Sequence, residues 1–381
     1  MTHEDIRAAV RKLCEAYPGP YWRALDRERA YPTEFVAELT RSGFLAALIP
    51  QAYGGSGLPL GAAAAILEEI QAAGCNGASC HAQMYVMGTL LRHGSEAQKT
   101  HYLPRIASGE LRLQAFGVTE PGSGTDTASI TTTARREGDR YIIRGRKIWT
   151  SRAEHSDLMV LLARTSAVQD GMKRTSGLSV FLVDMHEARG NGLSIDPIRT
   201  MMNHATTTIG FDDVPVPAEN LIGKEGEGFR YILSGMNAER ILIAAECVGD
   251  ARWFIEKSAS YARERVVFGR PIGQNQGIQF PIARAYANMR AASLMVDEAL
   301  RRFEVDEPCA AEANMAKMLA ADASFEAANV AIQTHGGFGF AEDFDIERKF
   351  RETRLYQVAP ISTNLILSYI AEHVLGLPRS Y

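Results

Sequence analysis

At 381 residues the chain exceeds the usual single-domain size, so two or three domains are expected. Its 41 Lys plus Arg stand against 45 Asp plus Glu, a net charge of -4 that gives no electrostatic footprint for sequence-independent nucleic-acid binding. No apolar run approaches the length that crosses a bilayer. The cysteines (Cys14, Cys75, Cys80, Cys247, Cys309) are scattered, without C-x-x-C or zinc spacing, which suits a reducing compartment and no metal. The opening MTHEDIRAAVRKLCEAY reads as neither a secretory signal nor a transit peptide, so a cytoplasmic location is expected.

From Thr33 to about Arg112 the signals are helical, punctuated by the glycine-rich turn at residues 52–57 and by Gly74 and Gly94; the Ala-rich stretch from Ala62 to Ala73 has high helix propensity. The middle changes period. Short β-branched or apolar runs (Tyr141–Ile143, Leu158–Leu162, Leu178–Val183, Thr207–Phe211) are separated by turns at residues 137–139 and 189–192. From Gly228 onward apolar residues recur three and four apart, with breaks at residues 268–271, 307–308 and 335–339, which predicts an up-down bundle. The expectation is an α+β chain with a helical domain at 1–113, a β domain at 114–227 and a helical bundle at 228–381.

Several site types are excluded by inspection. The chain has no G-x-x-x-x-G-K-[ST], no H-E-x-x-H, no G-x-S-x-G and no G-x-G-x-x-G between a strand and a helix. Any dinucleotide must therefore be held in a non-Rossmann way.

The stretch FGVTEPGSGTD (Phe116 to Asp126) followed by GRKIWTS (Gly145 to Ser151) resembles the flavin-binding signatures of acyl-CoA dehydrogenases. Segments 49–58, 93–110, 211–229, 262–276 and 333–340 resemble the same family in the same order. The resemblance implies FAD, an acyl-CoA or acyl carrier protein thioester as substrate, an electron-transfer flavoprotein as reoxidant and a homotetramer. The fold it implies is a helical domain, a β-barrel or sandwich domain and a four-helix bundle.

In the glycine-rich loop, short hydroxyls and backbone amides can approach a polar ring edge. By resemblance, Val118 and Thr119 meet the flavin pyrimidine edge, with Phe116 and Gly124 beside them, and Thr125 sits near the pyrophosphate. Trp149 and Ser151 match positions against the isoalloxazine. Arg265, Phe268 and Gln276 resemble residues that clasp the pyrophosphate and adenine half on a neighbouring subunit, with Gln333, Gly336 and Gly337 closing over it. Ser362 and Asn364 replace the family's usual Thr and Gln near the cofactor.

The reaction needs a carboxylate to take the α-proton. Most of the family carries it in a C-terminal Y-E-G-T segment, but in RETRLYQVAPISTNLI (Arg351 to Ile366) Pro360 falls at that place. A minority places the base on the first bundle helix before an arginine. MNAERILIAAE (Met236 to Glu246) matches that pattern, making Glu239 the expected base, with Arg240, Asn237 and Thr125 on the substrate side. The competing reading is that Glu239, Ile243, Glu246 and Asp250 form a solvated acidic stripe. Proline also lacks the N–H that relatives use to polarise the thioester carbonyl, and a shift to Ile361 or a larger share for the flavin ribityl hydroxyl both stay open. Rival functions are a flavin monooxygenase or oxidase on the same fold, and a non-catalytic partner subunit.

Overall fold

The chain begins its first helix at once. Thr2 Oγ1 accepts from Asp5 N at 3.2 Å and the Asp5 carboxylate accepts from Thr2 N at 2.8 Å, a reciprocal cap on α1 (His3–Cys14). Ile6, Val10 and Cys14, four apart, are its buried stripe. The computed structural model describes residues 2–168 and 171–380; the outer ends of the expected domains, residues 1 and 381, lie outside the described residues.

After α1 come α2 (Gly19–Glu28), α3 (Thr33–Arg41), α4 (Leu60–Ala72), α5 (His81–His93) and α6 (Glu96–Ser108). The strand-rich middle holds β1 (Leu113–Gly117), β2 (Thr133–Glu137), β3 (Arg140–Ser151), β4 (Leu158–Arg164), β5 (Leu178–Asp184), the short α7 (Met185–Arg189), β6 (Leu193–Pro197), β7 (Thr206–Pro217) and β8 (Leu221–Ile222). Helices then return as α8 (Gly228–Glu264), α9 (Gln276–Glu304), α10 (Ala310–His335), α11 (Ile346–Arg354) and α12 (Thr363–Tyr369), with a hairpin of β9 (Val266–Val267) and β10 (Arg270–Pro271) after α8. The helical reading from Thr33 thus omitted α1 and α2, although Thr2, Asp5 and the spacing of Ile6, Val10 and Cys14 carried the signal.

Packing gathers these elements into two units that do not follow chain order. One contains Met1–Glu28, Pro59–Gly77 and Asn237–Tyr381; the other contains Arg29–Leu58 and Ala78–Met236.

In the helical unit, the buried positions of α9 are Ala285, Met289, Ala292, Val296 and Ala299, alternating four and three apart. That is the spacing of a seam between long, nearly parallel helices, and α10 answers it with buried alanines at 313, 316, 320, 323, 327 and 331. Gly249 of α8 lies against α4 so closely that a Cβ there would meet Glu68 O at 2.2 Å, so only glycine fits the crossing.

In the strand-rich unit, β4 and β5 are buried on both faces, which explains their unbroken apolar sequences. The sheet runs β6-β7-β3-β2-β4-β5-β8, with β1 parallel to β4. The long pair β3 and β7 is antiparallel and shifts register twice, once at Ile143/Gly145 and again at Ile148/Thr150. The second bulge falls at Trp149.

Candidate active site

In the strand-rich unit the loop after β1 is pinned by a buried ion pair. Glu120 Oε1 accepts from Lys147 Nζ at 2.8 Å and from Thr132 N at 2.9 Å. Its Oε2 accepts from Thr131 N at 2.7 Å and Thr131 Oγ1 at 2.8 Å. Lys147 Nζ also donates to Val118 O at 3.0 Å, and Ile148 N donates to Thr119 O at 2.9 Å. Burial pushes Glu120 up, but the Lys147 charge and the donors from Thr132 and Thr131 outweigh it and hold the carboxyl at about 2. The backbone of Val118 and Thr119 is therefore fixed from beneath, while Gly122 and Gly124 leave open space where a side chain would stand.

Next to this loop, Trp149 has φ of +61° and its side chain is 57% exposed. A left-handed backbone is costly for a bulky aromatic residue, and the bulge in β3 is what enforces it. The ring is thus held out of the core, with its face open to solvent. Among the described residues, the side-chain hydroxyls of Thr119, Thr125 and Ser151 make no hydrogen bond within the chain, so they are open to one. Phe116 is half-buried and touches Tyr85 edge-on, with ring centroids 6.5 Å apart.

In the helical unit, Glu239 on α8 is 7% exposed, and among the described residues its carboxylate makes no hydrogen bond. Burial raises it to about 7 against the opposing pull of Arg240. The Arg240 guanidinium donates to Asn237 Oδ1 at 3.2 Å, and Asn237 Nδ2 donates to Cys309 Sγ at 3.7 Å. Further along the same stripe Glu246 and Asp250 are fully buried and Ile243 nearly so. Tyr356 Oη donates to Glu246 Oε2 at 2.7 Å, and Lys349 Nζ pairs with Asp250. The solvated acidic stripe is thereby overturned: these acids face donors supplied by α11 and the turn after it.

The same unit holds a cavity of about 580 Å³ whose lining includes Arg265, Gln333, Gly336, Gly337 and Phe338. Gly336 turns with φ of +59°, and a Cβ on Gly336 or Gly337 would meet nothing within 4 Å. Arg265 lies over the Phe338 ring at 5.8 Å. Two expected companions are not in that lining. Phe268, φ +53°, stands 100% exposed at the tip of the β9–β10 hairpin, and Gln276 is exposed at the start of α9. Ser362 caps α12 by accepting from Leu365 N at 3.4 Å, while Asn364 is exposed. Met84, Met87 and Met202 are buried, whereas Met201 is exposed.

Sequence comparison matches three consecutive family domains: "Acyl-CoA dehydrogenase, N-terminal domain" over residues 1–110, the middle domain over 115–214 and the C-terminal domain over 226–375. The chain belongs to the acyl-CoA dehydrogenase family.

It is an oxidoreductase acting on CH–CH groups, and its reaction is FAD-dependent dehydrogenation of an acyl thioester. Acyl-CoA dehydrogenase FadE12 of Mycobacterium tuberculosis is 33% identical over 383 residues, covering 99% of this chain and 97% of that protein. A 3-(aryl)acrylate reductase of Clostridium sporogenes is 33% identical over 375 residues, covering 98% of each. Among solved structures, glutaryl-coenzyme A dehydrogenase in complex with glutaryl-CoA superposes with a TM-score of 0.91 at 30% identity, covering 99% of this chain and 96% of that one.

The residues present in the strand-rich unit fit the family's flavin. The braced loop offers backbone amides, the glycines leave room for close approach, and the exposed Trp149 ring supplies an apolar face. The Glu120–Lys147 pair had not been singled out from the sequence, although Lys147 falls on the inward phase of β3 with Tyr141 and Ile143. A lysine at a buried strand position was the available signal. No helix among the described residues is long and apolar enough to cross a membrane.

Proposed function

We propose that Glu239 is the base that removes the α-proton of an acyl-CoA. The observation that carries this is a buried carboxylate with no hydrogen bond among the described residues, raised to about 7. A base poised near the working pH combines adequate ionisation with strong proton affinity. Arg240 limits the upward shift, and Asn237 orients Arg240.

Bound FAD would supply the acceptor for the hydride equivalent that leaves the β-carbon. The strand-rich unit would hold it through Phe116, Val118, Thr119, Gly124 and Thr125, with Trp149 and Ser151 against the ring. Lys147 and Glu120 would keep that loop from shifting. The cavity of Arg265, Gln333, Gly336 and Gly337 would take the pyrophosphate and adenine half of a flavin belonging to another copy of the chain, together with Phe268 and Gln276. The exposed apolar hairpin of Val266, Val267 and Phe268 supports this reading, since a contiguous apolar patch, unlike a lone side chain, calls for a partner. Assembly would follow as a homotetramer, with an electron-transfer flavoprotein as reoxidant and the cytoplasm as location. The chain-order division at 113 and 227 belongs to the same reading.

Glu239→Gln tests the base. The purified variant should retain stoichiometric flavin, yet anaerobic titration with an acyl-CoA that bleaches the wild type should leave its absorbance unchanged, with turnover lower by about 10³-fold. Equal bleaching by both proteins would refute the assignment.

A further inference from the structure

Lys317 on α10 is fully buried, and its ammonium donates to Ile361 O at 2.7 Å. Among the described residues no carboxylate lies within ion-pair distance of it. Its charged surroundings are Asp322, which favours the ammonium from beyond ion-pair distance, and Arg240, the residue after Glu239, which opposes it. Burial pulls Lys317 down to about 8, so it remains mostly protonated at neutral pH. A buried charge whose partner is a neutral carbonyl is an expensive way to fill a core position that methionine could fill. Holding that carbonyl is the feature for which the expense makes sense.

The held carbonyl sits in an informative segment. Pro360 has no N–H, so the first backbone donor after it is Ile361, which is half-buried. Among the described residues the Ile361 N–H reaches no acceptor, whereas the next turn is already engaged, with Leu365 N donating to Ser362. The segment is also fixed upstream, where Tyr356 donates to Glu246, seven residues beyond Glu239 on the same helix. A buried bond at Tyr356 and a part-buried one at Ile361 therefore bracket residues 356–361 and register them against α8 and α10. Removal of an α-proton drives negative charge onto the thioester oxygen, and that oxygen needs a fixed donor.

We propose that Lys317 is a positioning residue for this donor: by fixing the Ile361 carbonyl it presents the Ile361 N–H to the thioester oxygen, replacing the N–H that Pro360 lacks. This rests on the reading of Glu239 as base. In the step, the α-carbon–hydrogen bond breaks, the proton passes to Glu239 and the Cα–Cβ double bond forms, while bound FAD would supply the acceptor for the β-hydrogen and its electron pair. Lys317 neither gives nor takes a proton.

The test uses the full-length holoprotein as wild type, Lys317→Met and Lys317→Arg. The probes are the acyl-CoA that reduces the wild-type flavin, the 2-enoyl-CoA of the same length, and the S-alkyl-CoA thioether of that length, which lacks the carbonyl. Lys317→Met should lower kcat by about 30- to 100-fold with flavin content retained. The carbonyl stretch of bound, isotope-labelled enoyl-CoA should move back toward its value in water, while Kd for the thioether stays within about twofold. Lys317→Arg, which keeps a charged donor, should recover most of both losses. A merely structural lysine would weaken thioether and enoyl-CoA in parallel; that result, or an unmoved carbonyl stretch, overturns the proposal. If Lys317→Met does not fold, Lys317→Gln is read by the same stretch, and no shift there overturns it equally. Bleaching by Glu239→Gln would remove the base assignment while the thioether comparison still reports on Lys317, so the two failures are distinguishable.

Discussion

The strand-rich unit and the helical unit each contain a buried glutamate beside a cation, Glu120 and Glu239, and they do opposite things to it. Glu120 is 4% exposed and Glu239 is 7% exposed, so solvent exposure alone does not separate them. Glu120 receives Lys147 and three further donors and is held at about 2. Glu239 receives none among the described residues, its neighbour Arg240 donating to Asn237, and rises to about 7. The difference teaches that the number of donors aimed at a buried carboxylate decides whether it is a fixed charge or a proton acceptor. The first serves as a clamp, and the second is free for chemistry.

Breaking the clamp should give the largest change. Lys147→Met leaves Glu120 buried without its counter-charge and should cost about 3–5 kcal/mol in urea or thermal unfolding, with flavin lost more readily on dialysis. An unchanged midpoint would mean that the ion pair braces nothing. Glu239→Gln should act in the other direction. Its folded pKa of about 7 lies above the unfolded 4.5, so the stability linked to this group is full below 4.5 and is lost as the pH rises through 7. At pH 8 the glutamine variant should therefore be more stable than wild type by about 1–3 kcal/mol, with the gain fading by pH 4. A pH-independent difference would detach the shift from this carboxyl.

The same titration should appear in catalysis. kcat/KM should fall about tenfold per pH unit below 7 and level off above it, and a flat profile from pH 5 to 8 would place the base elsewhere. The smallest effect belongs to the cap of α1: Thr2→Ala should cost about 1 kcal/mol and speed hydrogen exchange at the start of that helix while leaving kcat unchanged.

Much of this was legible in the sequence because it is local. The glycine-rich loop with Gly124, the strand runs at 141–143, 158–162, 178–183 and 207–211, and the three-and-four apolar spacing from Gly228 onward need only neighbouring residues to be read. What escaped was set by distance along the chain. Glu120 and Lys147 are 27 residues apart, and Glu246 meets Tyr356 across 110, so no window of sequence contains either pair. The acidic stripe on α8 illustrates the cost: its periodicity was plain, but whether it met water or the donors of α11 depended on a tertiary choice that periodicity does not encode. Trp149 is the converse case. Its place in the motif was readable, whereas its left-handed backbone comes from a mismatch between two strands.

That bulge also gives the protein an optical gauge of its own. Of the three tryptophans, Trp22 and Trp253 are each 5% exposed, and only Trp149 faces solvent. Red-edge fluorescence of the flavin-free protein would thus report from a single ring, and its quenching on reconstitution would time the arrival of the cofactor without any added label.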